Sequence, residues 1–313
     1  MRKVPELSLL SYVNGGQSDQ VKFVDDLFSG LKDYGFIVLT DHTVDQKKVD
    51  LAYDITHEFF SLSDEQKKAY HDPRGGGQRG YIPYKTEHAK DQKNADLKEF
   101  WHVGRDLDPS SPYYNVYPKN VWPKEVKEFQ NIMSDLYRSM DASSAVLLEA
   151  IGKGLDLPET YFKEMITDGN SILRVIHYPP TTGEDVSSHI RAAAHEDINL
   201  ITLLVGATSS GLELLDRDGK WLPVESTPGQ IVVDTGDMMA RLTNNVLPAT
   251  THRVVNPDAG KESEARFSMP FFVHPHSNAS LKVIPSCLGD GEKWPEITAG
   301  DFLIQRLKEI GLY

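Results

Sequence analysis

Cysteine is nearly absent from this chain of 313 residues: Cys287 is the single one. One thiol builds neither an internal disulfide framework nor a thiolate-rich zinc site, so the expected compartment is a reducing one, the cytoplasm. Positive charge is also in short supply. Lys and Arg number 33 against 46 Asp and Glu, a formal net charge of −13, whereas affinity for a phosphate backbone rests on clustered cations. Nucleic acid is therefore not an expected partner. No apolar run approaches the roughly 18 residues of a membrane span. The opening residues Met1-Arg2-Lys3-Val4-Pro5-Glu6 lead into no apolar stretch of signal-peptide length, so neither a secreted nor a membrane-embedded protein is expected. Low-complexity tracts and internal repeats are missing too, which leaves a packed globule with enough chain for one large domain or a core with an extension.

What is there reads as four stretches. Residues 1–120 form an α-rich N-terminal region. Ser18 caps a predicted helix whose Val21, Val24, Leu27, Phe28 and Leu31 share one stripe and which Gly35 ends. Phe36 to Leu39 then read as a buried strand, a second helix runs from near Asp45 to Phe60, and Ser63-Asp64-Glu65-Gln66 has the form of a capping box. From Gly75 to Pro123, glycines and scattered aromatics without a sustained period predict long loops with short strands, the kind of segment that often carries function. Residues 121–167 hold a supporting helix and a connector: Val126, Phe129, Met133, Leu136, Met140, Leu147 and Ile151 mark one face of a helix of about 30 residues, near 45 Å long.

Across residues 168–285 the texture turns to β. Short apolar segments at Leu173–Tyr178, Asn199–Val205, Leu212–Leu215, Trp221–Val224, Gln230–Asp234, His252–Val255, Arg266–Val273 and Leu281–Ile284 are separated by turn residues, and Asp218-Gly219 marks a hairpin. About eight short strands fit a double-sheet jelly roll. Residues 286–313 form a C-terminal tail with an amphipathic helix over Thr298 to Ile310. The fold class is thus α+β, a jelly-roll core supported by helices.

The chemistry concentrates in the β-rich half. His195-Glu196-Asp197 opens the apolar run Ile198 to Leu204, and on a strand residues i and i+2 project from one face. An imidazole and a carboxylate side by side make two-thirds of the facial triad of non-haem Fe(II) oxygenases. Alone the pair is weak, since 11 histidines among 313 residues produce one or two His-x-acid patterns by chance. His252, at the start of a later strand, supplies a third ligand type. Arg266-Phe267-Ser268 is another i, i+2 pair, and a buried Arg beside a hydroxyl is how a site grips a carboxylate. His274-Pro275-His276 reads as structural, because no third ligand is ordered around it, and Glu196 reads as an edge residue.

In this order, His-x-Asp, His and Arg-x-Ser, the chain resembles the isopenicillin N synthase-like branch of the Fe(II)/2-oxoglutarate-dependent oxygenases, over nearly its whole length. Pro5 to Tyr12, Tyr34-Gly35-Phe36 and Asp41-His42 are similar to the family's N-terminal segment, and Gly211 to Asp237 to its Gly-rich strand pair. Ala249 to Phe272 is similar to its strands bearing the ligand His and Arg-x-Ser. The resemblance implies a double-stranded β-helix in which His195, Asp197 and His252 bind Fe(II). Arg266 and Ser268 would hold the distal carboxylate of 2-oxoglutarate, and Tyr178 would contact the same cosubstrate. The metal centre carries the catalysis, with two of its remaining positions for 2-oxoglutarate and one for O2. Ile176 and His177 stand where the family signature has Asn and Tyr, and Asp258 to Lys261 implies a longer hairpin than plant members carry. Arg79 and Tyr81 fall in the region that lines the family's substrate pocket, Phe272 shares the face of Ser268, and His177 and His189 flank the site. The implied activity is an oxidoreductase that hydroxylates, desaturates or cyclises a small molecule while 2-oxoglutarate is decarboxylated to succinate. Two alternatives stay open: an isopenicillin N synthase-type oxidase that uses O2 without 2-oxoglutarate, and a non-catalytic metal- or carboxylate-binding jelly roll.

Overall fold

A strand with apolar residues at every position must be covered on both faces, and Phe36 to Leu39, buried throughout, poses that demand at the start of the chain. In the computed structural model, which describes residues 3–73, 76–87, 95–182 and 190–309, helices cover one face and a second sheet covers the other. The N-terminal part holds β1 (Glu6–Ser8), α1 (Leu9–Asn14), α2 (Gln17–Tyr34), β2 (Phe36–Asp41), α3 (Gln46–Phe60), α4 (Asp64–Lys68), β3 (Gly80–Ile82) and β4 (Glu99–Gly104). Then follow α5 (Phe129–Gly154) and α6 (Tyr161–Ile166), and after them β5 (Ile172–Tyr178), β6 (Ala192–His195), β7 (Ile201–Val205), β8 (Leu212–Leu215), β9 (Trp221–Pro223), β10 (Ile231–Thr235), α7 (Asp237–Leu242), β11 (His252–Val254), β12 (Arg266–Val273) and α8 (Ala299–Glu309). Among the described residues these strands form an eight-stranded sheet in the order β1-β2-β10-β7-β12-β5-β4-β3 and a four-stranded sheet in the order β6-β11-β8-β9.

Alternation along each strand sorts the side chains into two cores. Ile37, Leu39, Leu203, Val233, Met269 and Phe271 face the helices, where α5 lays Met133, Leu136, Met140 and Leu147 against them. Their neighbours Phe36, Val38, Ile176, Tyr178 and Val232 face Ala192, Leu212, Leu214 and Val254 of the smaller sheet. The first core is mainly apolar packing; the second encloses the site. Strands from the N-terminal part flank strands from the C-terminal half in the larger sheet, so both halves of the chain build one wall.

Several expected boundaries move. Gly16, not Ser18, caps α2, with the Asp19 carboxylate accepting its N–H at 3.0 Å. Helix α5 has 26 residues and starts at Phe129, because residues 124–128 form turns closed by the Phe129 N–H on the Val126 carbonyl at 3.2 Å. Leu281 to Ile284 is not a strand: Leu281, Val283 and Ile284 are buried against the helix-side core, and Pro285, which has no N–H, opens a 3-10 turn there. Burial made that segment apolar, and pairing was not the cause. The Asp218-Gly219 hairpin is present between β8 and β9, with Gly219 at φ 71°. No helix among the described residues is long and apolar enough to cross a membrane.

Gly35 joins α2 to β2 at φ 67°, with its N–H on the Leu31 carbonyl and its own carbonyl accepting from Thr235. A Cβ there would lie 2.1 Å from Thr250 Oγ1, two residues before His252. Gly35→Ala is expected to cost about 1–3 kcal/mol, read as a lower urea midpoint. An unchanged midpoint would show that the loop ahead of His252 yields without cost.

Candidate metal centre and its pocket

His195 is the last residue of β6 in the smaller sheet, and the chain enters the larger sheet at Ile201. His195 and Asp197 are therefore not on one strand face, as the i, i+2 spacing predicts; they meet where the chain crosses between sheets. The crossing is pinned from several sides. Buried Asn199 donates from Nδ2 to the Ile201 carbonyl (2.8 Å) and to Thr202 Oγ1 (3.0 Å). The N–H of Asp237, at the start of α7, bonds the Asp197 carbonyl at 2.8 Å. Gly236 makes that approach possible, since a Cβ on it would lie 2.4 Å from the Asn199 carbonyl. His252 comes from β11, directly opposite His195 in the antiparallel register, and the two rings are 4.4 Å apart.

The three side chains offer one ligand atom each, all within 4.8 Å of one another. Asp197 Oδ1 lies 3.8 Å from Nε2 of His195 and 3.8 Å from Nε2 of His252. Two donors about 2.0–2.2 Å from one ion are at most about 4.4 Å apart, so both separations suit a shared metal. Nδ1 of His195 faces the Ala193 carbonyl at 2.7 Å and Nδ1 of His252 faces the Thr250 carbonyl at 3.1 Å. Those carbonyls only accept, which places each ring proton on Nδ1 and a lone pair on each Nε2. Burial first, and the neighbouring His252 second, lower His195 to about 4, so it is neutral near pH 7. Thr202 Oγ1, which accepts from Asn199, donates to Asp197 Oδ2 and leaves Oδ1 turned to the imidazoles. Two lone pairs and a carboxylate oxygen thus converge with no proton between them, an arrangement that a cation satisfies.

A cavity of about 70 Å3 adjoins this cluster, lined by His195, Asp197 and His252 and, on the larger sheet, by Tyr178, Arg266, Ser268 and Phe272. Arg266, 1% exposed, donates to Ser268 Oγ at 3.3 Å and to the Ser209 carbonyl at 3.2 Å. Its guanidinium carbon lies 5.0 Å from the ring centre of Tyr178, its partner in the β12–β5 register. No carboxylate pairs with it among the described residues. Phe272 projects into the cavity from the same β12 face, as the alternation predicts.

Arg79 and Tyr81 are placed elsewhere: neither is among the described residues that line the cavity. On β3 it is Ile82 that joins the inter-sheet core, so Arg79 and Tyr81, one residue out of phase, turn to the helix side. Arg79 donates to the Gln78 carbonyl (2.7 Å) and to Asn170 Oδ1 (3.2 Å), and burial lowers it to about 10. The Tyr81 hydroxyl donates to Glu99, which also accepts from Lys67 Nζ at 2.9 Å and lies 2.8 Å from His177 Nδ1. His177 stacks on Phe267 at 4.6 Å, on that same side of the sheet. His189 lies outside the described residues. His276 meets the Tyr113 hydroxyl at 2.8 Å, and Glu196 accepts from Thr251 on the surface. The cavity also has Lys98 and Arg174 on its wall, which the sequence reading passed over. Arg174 shares the i, i+2, i+4 face of Ile176 and Tyr178, so strand parity was the available signal.

Comparison with known proteins decides the family. Residues 4–125 match the N-terminal model described as non-haem dioxygenase in morphine synthesis, and residues 169–275 match the 2OG-Fe(II) oxygenase superfamily. The proline hydroxylase buaE of Petromyces alliaceus is 30% identical, over 97% of this chain and 98% of that protein. The chain belongs to the Fe(II)/2-oxoglutarate-dependent oxygenases. Among solved structures, a 2OG-Fe(II) oxygenase family protein of Caulobacter crescentus superposes with a TM-score of 0.89 at 44% identity, covering 99% of this chain and 100% of that one. A full-length Neurospora crassa protein, solved in complex with alpha-KG and thymine, shares the fold at a TM-score of 0.86 and 24% identity, covering 97% and 96%. The two sheets are accordingly the double-stranded β-helix of these oxygenases, and this oxidoreductase is a dioxygenase of Fe(II), 2-oxoglutarate and O2.

The Glu99 cluster supports β4 in this oxygenase. Burial raises the Glu99 carboxyl, but bonds from His177, Tyr81 and Lys67 outweigh it and hold the group below its ordinary value. Its stabilisation is then present above the ordinary carboxylate range and lost as pH falls through the folded value. Glu99→Ala leaves Lys67 buried without its main partner and is expected to cost about 3–5 kcal/mol near pH 7. The gap to wild type should narrow below about pH 4. Denaturation curves at both pH values check this, and a gap independent of pH would locate the loss in packing.

Proposed function

We propose that His195, Asp197 and His252 hold the Fe(II) and that Arg266, Ser268 and Tyr178 hold 2-oxoglutarate, for oxidation of a small organic substrate in the cytoplasm. The oxidation is a hydroxylation, desaturation or cyclisation. The convergence of two imidazole lone pairs and one carboxylate oxygen, 3.8 Å from each nitrogen, carries this reading. The jelly-roll stretch 168–285 supplies all six residues, with residues 1–120, 121–167 and 286–313 built around it. A small-molecule substrate is in keeping with the thymine in the Neurospora crassa structure and with the proline named for buaE. The single cysteine and the acidic balance support the cytoplasm and argue against nucleic acid.

Bound Fe(II) supplies oxygen activation coupled to decarboxylation of 2-oxoglutarate to succinate. The chain supplies position. The Ala193 and Thr250 carbonyls hold the imidazole rings through Nδ1, and Thr202 holds the outer carboxylate oxygen, partners that typically change metal affinity 10–100-fold in such sites. Arg266, buried and without a carboxylate of its own, would meet the distal carboxylate of the cosubstrate, with Ser268 adding a hydroxyl and Tyr178, over whose ring the guanidinium lies, standing beside it. Leu204, Leu212, Val232 and Val254 line the cavity with carbon and keep water from it. Phe272 stands on the substrate side.

Asp197→Ala is expected to abolish stoichiometric Fe(II) binding while the circular dichroism spectrum stays native; wild-type iron content would remove Asp197 from the ligand set. Arg266→Leu is expected to raise the apparent KM for 2-oxoglutarate at least about tenfold, the loss of one charge-assisted bond or more. Substrate oxidation by the wild-type enzyme at full rate without 2-oxoglutarate would instead favour the oxidase alternative, with Arg266 on a substrate carboxylate.

A further inference from the structure

Two cations on the cavity wall have no part in the assignment above. Lys98, just ahead of β4, is 6% exposed, with Nζ 2.7 Å from Glu87 Oε1 and 2.9 Å from Asp96 Oδ2. Arg174 on β5 donates to the same Glu87 through Nη1 (3.0 Å) and Nη2 (3.2 Å), and through Nε to His102 Nε2 at 2.6 Å. His102 is neutral there, pushed down by burial first and by Arg174 second, and its Nδ1 faces the Gly77 carbonyl. An ammonium has three N–H donors and a guanidinium five. One donor on Lys98 and two on the half-buried Arg174 therefore remain without a partner among the described residues, and on the buried Lys98 an unmatched charged donor is costly.

The counter-charges are behind the wall. Glu87 and Asp96 are not among the residues that line the cavity, whereas Lys98 and Arg174 are. Burial would raise the Glu87 carboxyl, but Arg174 and Lys98 outweigh it, so the group stays ionised. The cavity thus meets the positive end of each pair, and the acids on its own wall, Asp197 and Asp234, stand at the triad end. Rings hold the Arg174 guanidinium: its carbon is 4.2 Å from the centre of Phe100 and 5.2 Å from that of Phe272. Arg174 is four residues along β5 from Tyr178, the register partner of Arg266, a separation of about 13 Å at 3.3 Å per residue. The two arginines thus stand at different places along the same cavity wall.

We infer that the prime substrate is a small organic acid whose carboxylate accepts hydrogen bonds from Lys98 and Arg174 while its carbon skeleton lies along Phe272 toward the triad. The inference rests on the reading of the site given above, since it takes Arg266 as the anchor of 2-oxoglutarate. The arrangement also selects: on a chain of net charge −13, a cavity wall of positive ends is a local field that favours anions over neutral analogues.

The test is equilibrium binding, by anaerobic titration calorimetry, to the full-length protein loaded with Fe(II) and saturated with 2-oxoglutarate so that Arg266 is occupied, with phenylacetate, cyclohexanecarboxylate and octanoate and with the primary amide of each. Wild type is expected to bind at least one acid about 10–100-fold more tightly than its amide, the worth of one or more charge-assisted bonds. Lys98→Met should abolish that preference and Lys98→Arg should keep it. Where Lys98→Met fails to fold because Asp96 is left without its cation, Lys98→Met/Asp96→Asn carries the same comparison. Amides that bind as well as the acids, no binding by any acid, or a folded Lys98→Met protein that keeps the preference overturns the inference. Succinate release from 2-oxoglutarate by the iron-loaded wild-type enzyme is measured alongside. If succinate forms while the acid preference is absent, the substrate class is wrong and the oxygenase site stands; if none forms, the site reading itself fails.

Discussion

Three acceptor atoms that face one another without a proton between them are an electrostatic liability, and much of the oxygenase's second core is organised around sustaining it. Asp197 Oδ1 and two Nε2 lone pairs repel until a cation arrives, so each must be held by something other than its neighbours. The holding groups are backbone carbonyls on the two Nδ1 atoms and a hydroxyl on the outer carboxylate oxygen. Those in turn need a rigid crossing between sheets, which Asn199, Gly236 and the first turn of α7 provide. A flexible loop at residues 196–200 would let Asp197 rotate toward water and relieve the repulsion, and with it the affinity for a metal.

The second constraint is strand parity. On β12, Phe267, Met269, Phe271 and Val273 belong to the helix-side core while Arg266, Ser268, Pro270 and Phe272 line the cavity. A single-residue slip of that strand would exchange the two sets, burying Arg266 among methionines and leucines and opening the site to aromatic rings. Stability and function therefore share one register. The apolar half of the alternation is what keeps the polar half in place.

This parity also explains how much could be read from residues alone. His195, Asp197, His252, Arg266 and Ser268 come together in the structure from three different strands and a crossing, and their order along the chain was sufficient to point to the right family. Phe272 followed from i+4 spacing. The geometry that joins His195 to Asp197 was less accessible: the pair sits at a sheet crossing, and the apolar run after it masked the break between β6 and β7. Arg79 and Tyr81 were displaced for a similar reason, since their three-residue strand β3 is too short to show which face its neighbours occupy, and the phase is set by pairing with β4. Lys98 left no trace in a periodic pattern at all, because it precedes its strand and is oriented by Glu87 and Asp96 through ion pairs.

Buried cations are handled in two distinct ways within one cavity. Lys98 and Arg174 carry their carboxylates with them, at the cost of desolvating four charges that must then be matched by geometry. Arg266 does not: its partners are a hydroxyl and a carbonyl, neutral groups that orient the guanidinium and leave its charge uncompensated. A fully compensated cation can present a spare donor without demanding a counter-ion, whereas an uncompensated one is stable in the interior only when an anion completes it. That difference is what the proposed roles require: an anchor for the 2-oxoglutarate dianion would have to draw it in every turnover, whereas a substrate wall would only have to prefer one substrate over another.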